Sequence, residues 1–148
     1  MIPGSVQPRP AKADSGIRRV LVVDEALPVR RTLAEILSRA GLGGGQVRAV
    51  ATAEDALEAF ALEPPDIVFA ELVGEDSTEG LRMVTEMLAL DPLARIVLVT
   101  AESASSPLVR RAIRAGVFGI VAKPLRQDKV RAVLSEIESE EGNIERFR

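Results

Sequence analysis

Residues 67–71 read IVFAE, four apolar residues followed by a carboxylate. A short apolar run that contains β-branched and aromatic residues predicts a strand buried on both faces. Four similar runs occur along the chain, separated by amphipathic segments, which predicts a parallel sheet with helices on both faces. The predicted strands are residues 17–23, 46–50, 66–70, 94–100 and 117–122, and the predicted helices are 27–41, 53–62, 81–90, 107–115 and 127–140 or beyond.

Residues with strong positional preferences predict several helix ends. Pro28 suits the first turn of the first helix, because a proline there loses no hydrogen bond. Thr52 and Ser106 precede the second and fourth helices, where a hydroxyl can cap free N–H groups. Pro64 and Gly116 follow the same two helices and predict their ends.

The composition excludes several classes of function. The 148 residues are 47% hydrophobic and 28% charged, which is typical of one globular domain. There is no Cys and no His, which excludes disulfides, thiol catalysis, His-dependent triads and most zinc sites. A formal net charge of -3 predicts neither DNA binding nor attachment to an anionic membrane. No apolar run approaches a membrane span and no secretory signal is visible, so we expect a cytoplasmic protein.

The chain divides into one domain with two short flanks. Residues 1–16 are rich in Pro, Gly, Ser and charge, which predicts a flexible N-terminal tail. Residues 17–140 contain the whole periodic pattern, and residues 141–148 extend the last helix or form a short tail. We therefore expect no separate DNA-binding or enzymatic output domain.

Polar residues stand where four of the predicted strands end. Asp24 and Glu25 follow the first strand, Glu71 the third, Thr100 ends the fourth and Lys123 follows the fifth. Because the carboxyl ends of parallel strands share one edge, these groups should converge on one crevice. Carboxylates without His suggest an oxygen-ligated cation such as Mg²⁺. A hydroxyl beside an ammonium group suggests that a phosphoryl group or another anion is stabilised there.

Four blocks of sequence resemble one known family. The blocks VLVVDEALPVRRTLAEIL, PDIVFAEL, VLVTAES and AGVFGIVAKPL resemble those of response-regulator receiver domains, the CheY-like family, in order and spacing over residues 17–140. The resemblance implies a flavodoxin-like, doubly wound α/β fold with five parallel strands in the order 2-1-3-4-5. It also implies a signalling module of two-component phosphorelays rather than an enzyme.

The resemblance assigns roles to the residues at the strand ends. Asp24 and Glu25, with the main-chain carbonyl of Val73, match the positions that hold Mg²⁺ in the family. Thr100 matches the switch hydroxyl that binds the phosphoryl group. Lys123 matches the family's lysine, and the peptide bond that follows it, to a proline, would be cis.

Three departures from the family pattern affect the predicted chemistry. Glu71 stands where the family has the phospho-acceptor Asp. The loop that follows lacks the usual Pro and is one residue longer before Gly80. The resemblance therefore does not fix the position of the Val73 carbonyl relative to a metal ion. Ile120 stands where the family has a Tyr or Phe switch, and Phe118 would lie on the same strand face as a substitute.

The extra methylene of Glu71 predicts regulation without ordinary phosphorylation. It moves the carboxylate into the space of an incoming phosphoryl group, where it could pair with Lys123 or accept from Thr100. Three versions stay open: an active-like state held by Glu71, a constitutive docking module, and control by another input. The alternative is an ordinary Mg²⁺-dependent receiver that is phosphorylated on Glu71 or on a neighbour such as Asp76.

A basic cluster predicts the output surface. Arg110, Arg111 and Arg114 lie on the fourth helix, and Arg126 begins the fifth, with Ile120 between them. The resemblance implies that helix 4, strand 5 and helix 5 form the face for output or homodimer formation. Its charge suggests an acidic partner such as a histidine kinase, a phosphotransfer protein or a downstream regulator. Two alternatives remain: an anionic cyclic dinucleotide as ligand, or a solvated face built from good helix formers.

Overall fold

The protein is described by a computed structural model that covers residues 16–74 and 77–146, with the backbone alone for residues 140–146. Strands and helices alternate along these residues. The strands are β1 (Val20–Val23), β2 (Val47–Val50), β3 (Ile67–Ala70), β4 (Arg95–Thr100) and β5 (Gly119–Ala122). The helices are α1 (Leu27–Arg39), α2 (Ala53–Leu62), α3 (Thr78–Leu90), α4 (Pro107–Ala115) and α5 (Gln127–Arg146), and a short 3₁₀ helix (Gly44–Gln46) precedes β2.

The five strands form one parallel sheet in the order β2-β1-β3-β4-β5, which confirms the predicted topology. All residues of β1 and β3 are buried, because helices cover both faces of these central strands. Val22 and Phe69 face α1 and α5, whereas Leu21 and Val68 face α2 and α3. A third, smaller cluster is formed where α4 packs on Leu98 of β4.

The local signals at the helix ends were mostly, though not always, correct. Thr52 caps α2 by accepting a hydrogen bond from the Asp55 N–H at 3.1 Å, and Gly116 ends α4 with a left-handed φ of 112°. The predicted cap at Ser106 was wrong, because its side chain makes no capping hydrogen bond. The start of α3 was placed three residues late, because the first turn, from Thr78, is polar.

The prediction that Phe118 lies on the same strand face as Ile120 was also wrong. Phe118 lies just before β5, and its N–H donates to the Ile96 carbonyl near the start of β4. Its ring packs against the core under α1 and α5, with the Arg95 guanidinium 5.9 Å from the ring centroid. Ile120 instead belongs to the cluster under α4, so the two side chains do not share surroundings.

The flanking segments are described only in part. The helix α5 continues to Arg146, so the backbone of the predicted helical extension is helical through this residue. The predicted N-terminal tail lies, apart from Gly16, outside the described residues, as do Asp76 and the last two positions. Within the part of the chain that the structure describes, no helix is long and apolar enough to cross a membrane.

Gly80 fixes the packing of α3 against the loop that follows β3. Its N–H donates to the Val73 carbonyl at 2.8 Å, and a Cβ at this position would lie 2.3 Å from the Val73 nitrogen and 2.5 Å from the Leu72 Cα. Both contacts are with backbone, which cannot rotate away. We expect Gly80→Ala to lower the free energy of unfolding by about 3 kcal/mol in urea titrations.

Gly45→Ala is the matched control for that substitution. A Cβ at Gly45 would meet no atom within 4 Å, and this glycine does not have a positive φ. We expect its stability to be unchanged or raised by less than about 1 kcal/mol. Equal losses in the two variants would contradict the proposed close contact at Gly80.

Candidate functional site

The ladder between β1 and β3 brings two carboxylates together. Val23 and Ala70 are paired at the ends of these strands, so the next residues, Asp24 and Glu71, leave the sheet side by side. The Glu71 N–H donates to the Val23 carbonyl at 2.9 Å, which extends the ladder by one step. Asp24 is almost fully buried, with an exposed fraction of 3%.

The ladder between β4 and β5 delivers the other two groups to the same edge. Thr100 pairs with Ala122, and the Lys123 N–H donates to the Thr100 carbonyl at 2.8 Å. The peptide bond between Lys123 and Pro124 is cis, as the resemblance implied. The sheet therefore gathers Asp24, Thr100 and Lys123 at one edge with Glu71.

Lys123 is held between the two carboxylates. Its Nζ contacts the Glu71 Oε2 and lies 2.9 Å from the Asp24 Oδ2. The exposed side-chain fractions are 4% for Asp24, 19% for Lys123 and 31% for Glu71. Two carboxylates thus share one ammonium group in a partly dehydrated site, and the three groups carry a net charge of −1 when all are ionised.

Burial and the surplus of negative charge determine the protonation of these groups. Burial raises the pKa of Glu71, and the neighbouring Asp24 raises it further, while Lys123 opposes the change. For Lys123, burial works against the charged form, but hydrogen bonds and charge from Glu71 and Asp24 outweigh it, so its pKa is raised. Lys123 is therefore ammonium at neutral pH, and Glu71 gains its proton at a higher pH than an ordinary glutamate because its pKa is raised.

This pKa direction gives a pH-dependent prediction. An acid whose folded-state pKa is raised contributes stability that is present below its unfolded value, here 4.5, and is lost as the pH rises through the folded value. The Glu71→Gln variant lacks this titration. We expect its stability relative to the native chain to increase between about pH 4 and about pH 7 in paired urea titrations. A decrease over the same range would contradict the proposed shift.

Glu25 and Val73, which the resemblance assigns to Mg²⁺, are engaged by protein hydrogen bonds. The Glu25 Oε1 accepts from the Gly74 N–H at 2.6 Å, and the Val73 carbonyl accepts from Gly80. Asp24 accepts from the Ala26 N–H through Oδ1 at 2.8 Å and pairs with the lysine through Oδ2. Among the described residues, no three acidic side chains are placed to hold one cation. In this arrangement the oxygens that the resemblance assigns to Mg²⁺ contact N–H groups and the Lys123 ammonium group instead, so a magnesium ion would fit only after Lys123 and Glu25 released them.

Thr100 lies beside the ion pairs and is directed elsewhere. Its side chain is buried, and Oγ1 accepts from the Glu102 N–H at 3.0 Å, which closes the turn after β4. The residue thus has a local structural contact that involves neither Glu71 nor Lys123. Its assignment as the switch hydroxyl stays a prediction.

The basic cluster is at the surface, as expected from its sequence. Arg110, Arg111 and Arg114 are exposed on α4, and Ile113 among them is 48% exposed. Arg126 is also exposed and pairs with Asp128 at 3.2 Å, so its charge is partly neutralised. Among the ion pairs of the described residues, none involves the three arginines of α4.

Arg30 is part of the site, and the sequence analysis missed it. Its guanidinium donates to the carbonyls of Asp24 and Glu25 at 2.8 and 3.0 Å and holds the turn between β1 and α1. A signal was present, because a basic side chain in the first turn of a helix is unfavourable unless it has a specific partner. Gly74 was also missed, and no sequence pattern distinguishes it from any other loop glycine.

A doubly wound parallel sheet with carboxylates, a hydroxyl and a lysine at its carboxyl edge is the arrangement of a phosphorelay receiver. The sequence pattern of the response regulator receiver domain matches residues 20–135, and the chain belongs to this family. It is the receiver domain of a two-component response regulator, a class of signalling domain that interacts with kinases and other signalling proteins.

Two relatives with similar sequences support the assignment to the receiver family. The chain is 30% identical to the chemotaxis protein CheY of Thermotoga maritima over 81% of this chain and 97% of that protein. It is 35% identical to the alginate biosynthesis transcriptional regulatory protein AlgB of Pseudomonas aeruginosa, over 76% of this chain and 24% of that protein.

Solved structures give the same fold. NtrX from Brucella abortus superposes with a TM-score of 0.74 at 25% identity, over 88% of this chain and 29% of that one. CheY4 of Vibrio cholerae gives a TM-score of 0.70 at 20% identity, over 82% of this chain and 98% of that one. The second likeness supports the fold alone.

Proposed function

We propose that this receiver regulates a protein partner without being phosphorylated, and that Glu71 takes the place of the phosphorylated acceptor. The observation that carries the proposal is the contact between the Lys123 Nζ and the Glu71 Oε2. By resemblance, this lysine contacts the phosphoryl group in ordinary receivers. Glu71 therefore supplies the lysine's anionic partner from within the chain.

The length of the side chain opposes transfer to Glu71. In-line attack on phosphorus requires a carboxylate at the base of a pocket with space above it, and an error of ~1 Å can cost ~100-fold in rate. Glu71 is longer than Asp by one methylene, and its carboxylate lies against Lys123. The space in which the lysine would meet a phosphoryl oxygen is thus filled by the carboxylate itself.

The charge of the site opposes transfer as well. A phosphoryl group brings between −1.5 and −2 charges, roughly, at neutral pH. Here two carboxylates already share one ammonium group, and the oxygens assigned to a cation are engaged by N–H groups. Glu71 is an incomplete mimic, with one charge and two oxygens, so the state it supports is fixed rather than switched.

The arginine cluster of α4 is the proposed contact with the partner. Arg110, Arg111 and Arg114 are exposed on the same helix as the exposed Ile113, so this surface combines an apolar side chain with positive charge. Such a surface fits an acidic protein, for example a histidine kinase, a phosphotransfer protein or a downstream regulator. A homodimer through α4, β5 and α5 would bring these arginines into proximity, so an acidic partner is the favoured version.

The proposal is tested by measuring whether Glu71 determines the conformation of the α4 surface. We expect the backbone amide spectrum of the native chain to be unchanged by Mg²⁺ and a small acyl-phosphate donor. In Glu71→Ala, the amides of Thr100, Lys123 and α4 should shift, because Lys123 loses its contact. If the α4 amides do not shift in Glu71→Ala, Glu71 does not set the state of this surface. Glu63→Ala, a change of an exposed carboxylate paired with Arg19, is the control.

A further inference from the structure

One hydrogen bond connects the two loops that an ordinary cation site would bridge. Glu25 stands in the turn between β1 and α1, and Gly74 in the loop between β3 and α3. The Glu25 Oε1 accepts from the Gly74 N–H at 2.6 Å, across 49 positions of sequence. A bond between a carboxylate and an N–H is charge-assisted, and such bonds are roughly twice as strong as neutral ones.

The backbone around Gly74 is shaped to present this N–H. Gly74 has a φ of 103°, which side chains rarely allow, and a Cβ here would lie 2.8 Å from the Cβ of Glu79. On one side, the Val73 carbonyl is fixed by the Gly80 N–H at 2.8 Å. The loop is therefore fixed at Val73 and Gly74, by the backbone conformation of Gly74 and by one hydrogen bond at each of the two residues.

The remaining donors of the presumed cation site are held in the same way. Asp24 uses one carboxylate oxygen for the Ala26 N–H and the other for the ammonium group of Lys123. Arg30 fixes the carbonyls of Asp24 and Glu25. A cation entering this site would have to displace several of these donors and would lie near the positive charges of Lys123 and Arg30.

We infer that Glu25 is a positioning residue. Its hydrogen bond to Gly74 links the two loops directly, in place of the metal ion that would bridge them in an ordinary receiver. Residues 71–74 of the loop after β3 then keep their shape in the absence of divalent cations. This goes beyond the proposed function, which concerns phosphorylation at Glu71, and either can fail without the other. The Glu25 side chain differs from an ordinary ligand in one testable respect: a neutral acceptor oxygen at this position keeps the link to Gly74, and the charge only strengthens it.

Hydrogen exchange at the Gly74 amide tests the inference. The variants are Glu25→Gln, which keeps an acceptor oxygen without charge, and Glu25→Ala, which removes it. Without divalent cations, we expect the Gly74 amide of the native chain to be protected, Glu25→Gln to exchange within a few-fold of it, and Glu25→Ala at least about tenfold faster. Equal rates in the native chain and Glu25→Ala would overturn the cross-link.

A magnesium titration of the same samples gives a second readout. We expect millimolar Mg²⁺ to leave the Gly74 amide resonance and its exchange rate unchanged in the native chain. A saturable shift of Gly74 that is present in the native chain and lost in Glu25→Gln would assign Glu25 to a cation and overturn the inference. Neither result depends on phosphorylation, which is followed separately by intact mass.

Discussion

In the presence of Mg²⁺, the Glu71→Asp variant is expected to gain one phosphoryl group from a small acyl-phosphate donor at least about 100-fold faster than the native chain. The shorter carboxylate withdraws from Lys123 by about one bond length, which frees the ammonium group and the space in front of it. One carboxylate oxygen can then attack phosphorus while the acyl group leaves as a carboxylate. The measurement is intact mass over time, followed by mapping of the modified residue.

Glu71→Gln is the control, because it keeps the length of the native side chain and cannot form the acyl phosphate. We expect no gain in mass for this variant. Adding Glu25→Asp to Glu71→Asp should raise the rate further, because the shorter side chain cannot reach Gly74 and is released for a cation. If Glu71→Asp is as inert as the native chain, the length of residue 71 is not what blocks the chemistry.

The second large effect is expected from Lys123→Met, which removes the only ammonium group shared by Asp24 and Glu71 in this ion-pair group. The substitution leaves one nearly buried and one half-buried carboxylate facing each other. Breaking a buried ion pair from one side typically costs 3–5 kcal/mol, roughly, and the solvent access of Glu71 favours the lower end. We expect the free energy of unfolding to fall by about 3 kcal/mol at neutral pH, measured by urea titration.

The same variant should recover part of its stability in acid. Without Lys123, the group that lowers the pKa of Glu71 is gone, while burial and Asp24 still raise it. Protonation of Glu71 then removes the repulsion, so the deficit should shrink as the pH falls. Lys129→Met, an exposed lysine on α5, is the control and should stay within about 0.5 kcal/mol of the native chain. Similar losses in both variants would contradict the ion-pair account.

Most of the fold could be predicted from the sequence because its signals are local and consistent. The apolar runs around Val22 and Phe69 have no polar interruption, and only a sheet covered on both faces buries them. Thr52 and Gly116 act through their own backbone neighbourhoods and were placed correctly. Phe118 was misplaced because strand alternation was applied one residue before β5 begins, where the side chain packs on the α1 and α5 side instead.

The site could be predicted only as a set of residues. Parallel strands end at one edge, so the convergence of Asp24, Glu71 and Lys123 follows from their positions in the sequence. The hydrogen-bond or ion-pair partner of each group does not follow from the sequence. Glu25 was assigned to a cation, yet its oxygen accepts from Gly74, because the conformation of a loop 49 positions away determines where that N–H points. Such long-range backbone contacts leave no periodic signal.

The central claim is that Glu71 already occupies the position of the phosphoryl group. It is tested most directly by the intact mass of the native chain after prolonged incubation with Mg²⁺ and a small acyl-phosphate donor, beside Glu71→Asp as the positive control. The account predicts an unchanged native mass while Glu71→Asp gains one phosphoryl group. A phosphoryl group on the native chain, mapped to Glu71 or to a neighbouring carboxylate, would contradict it.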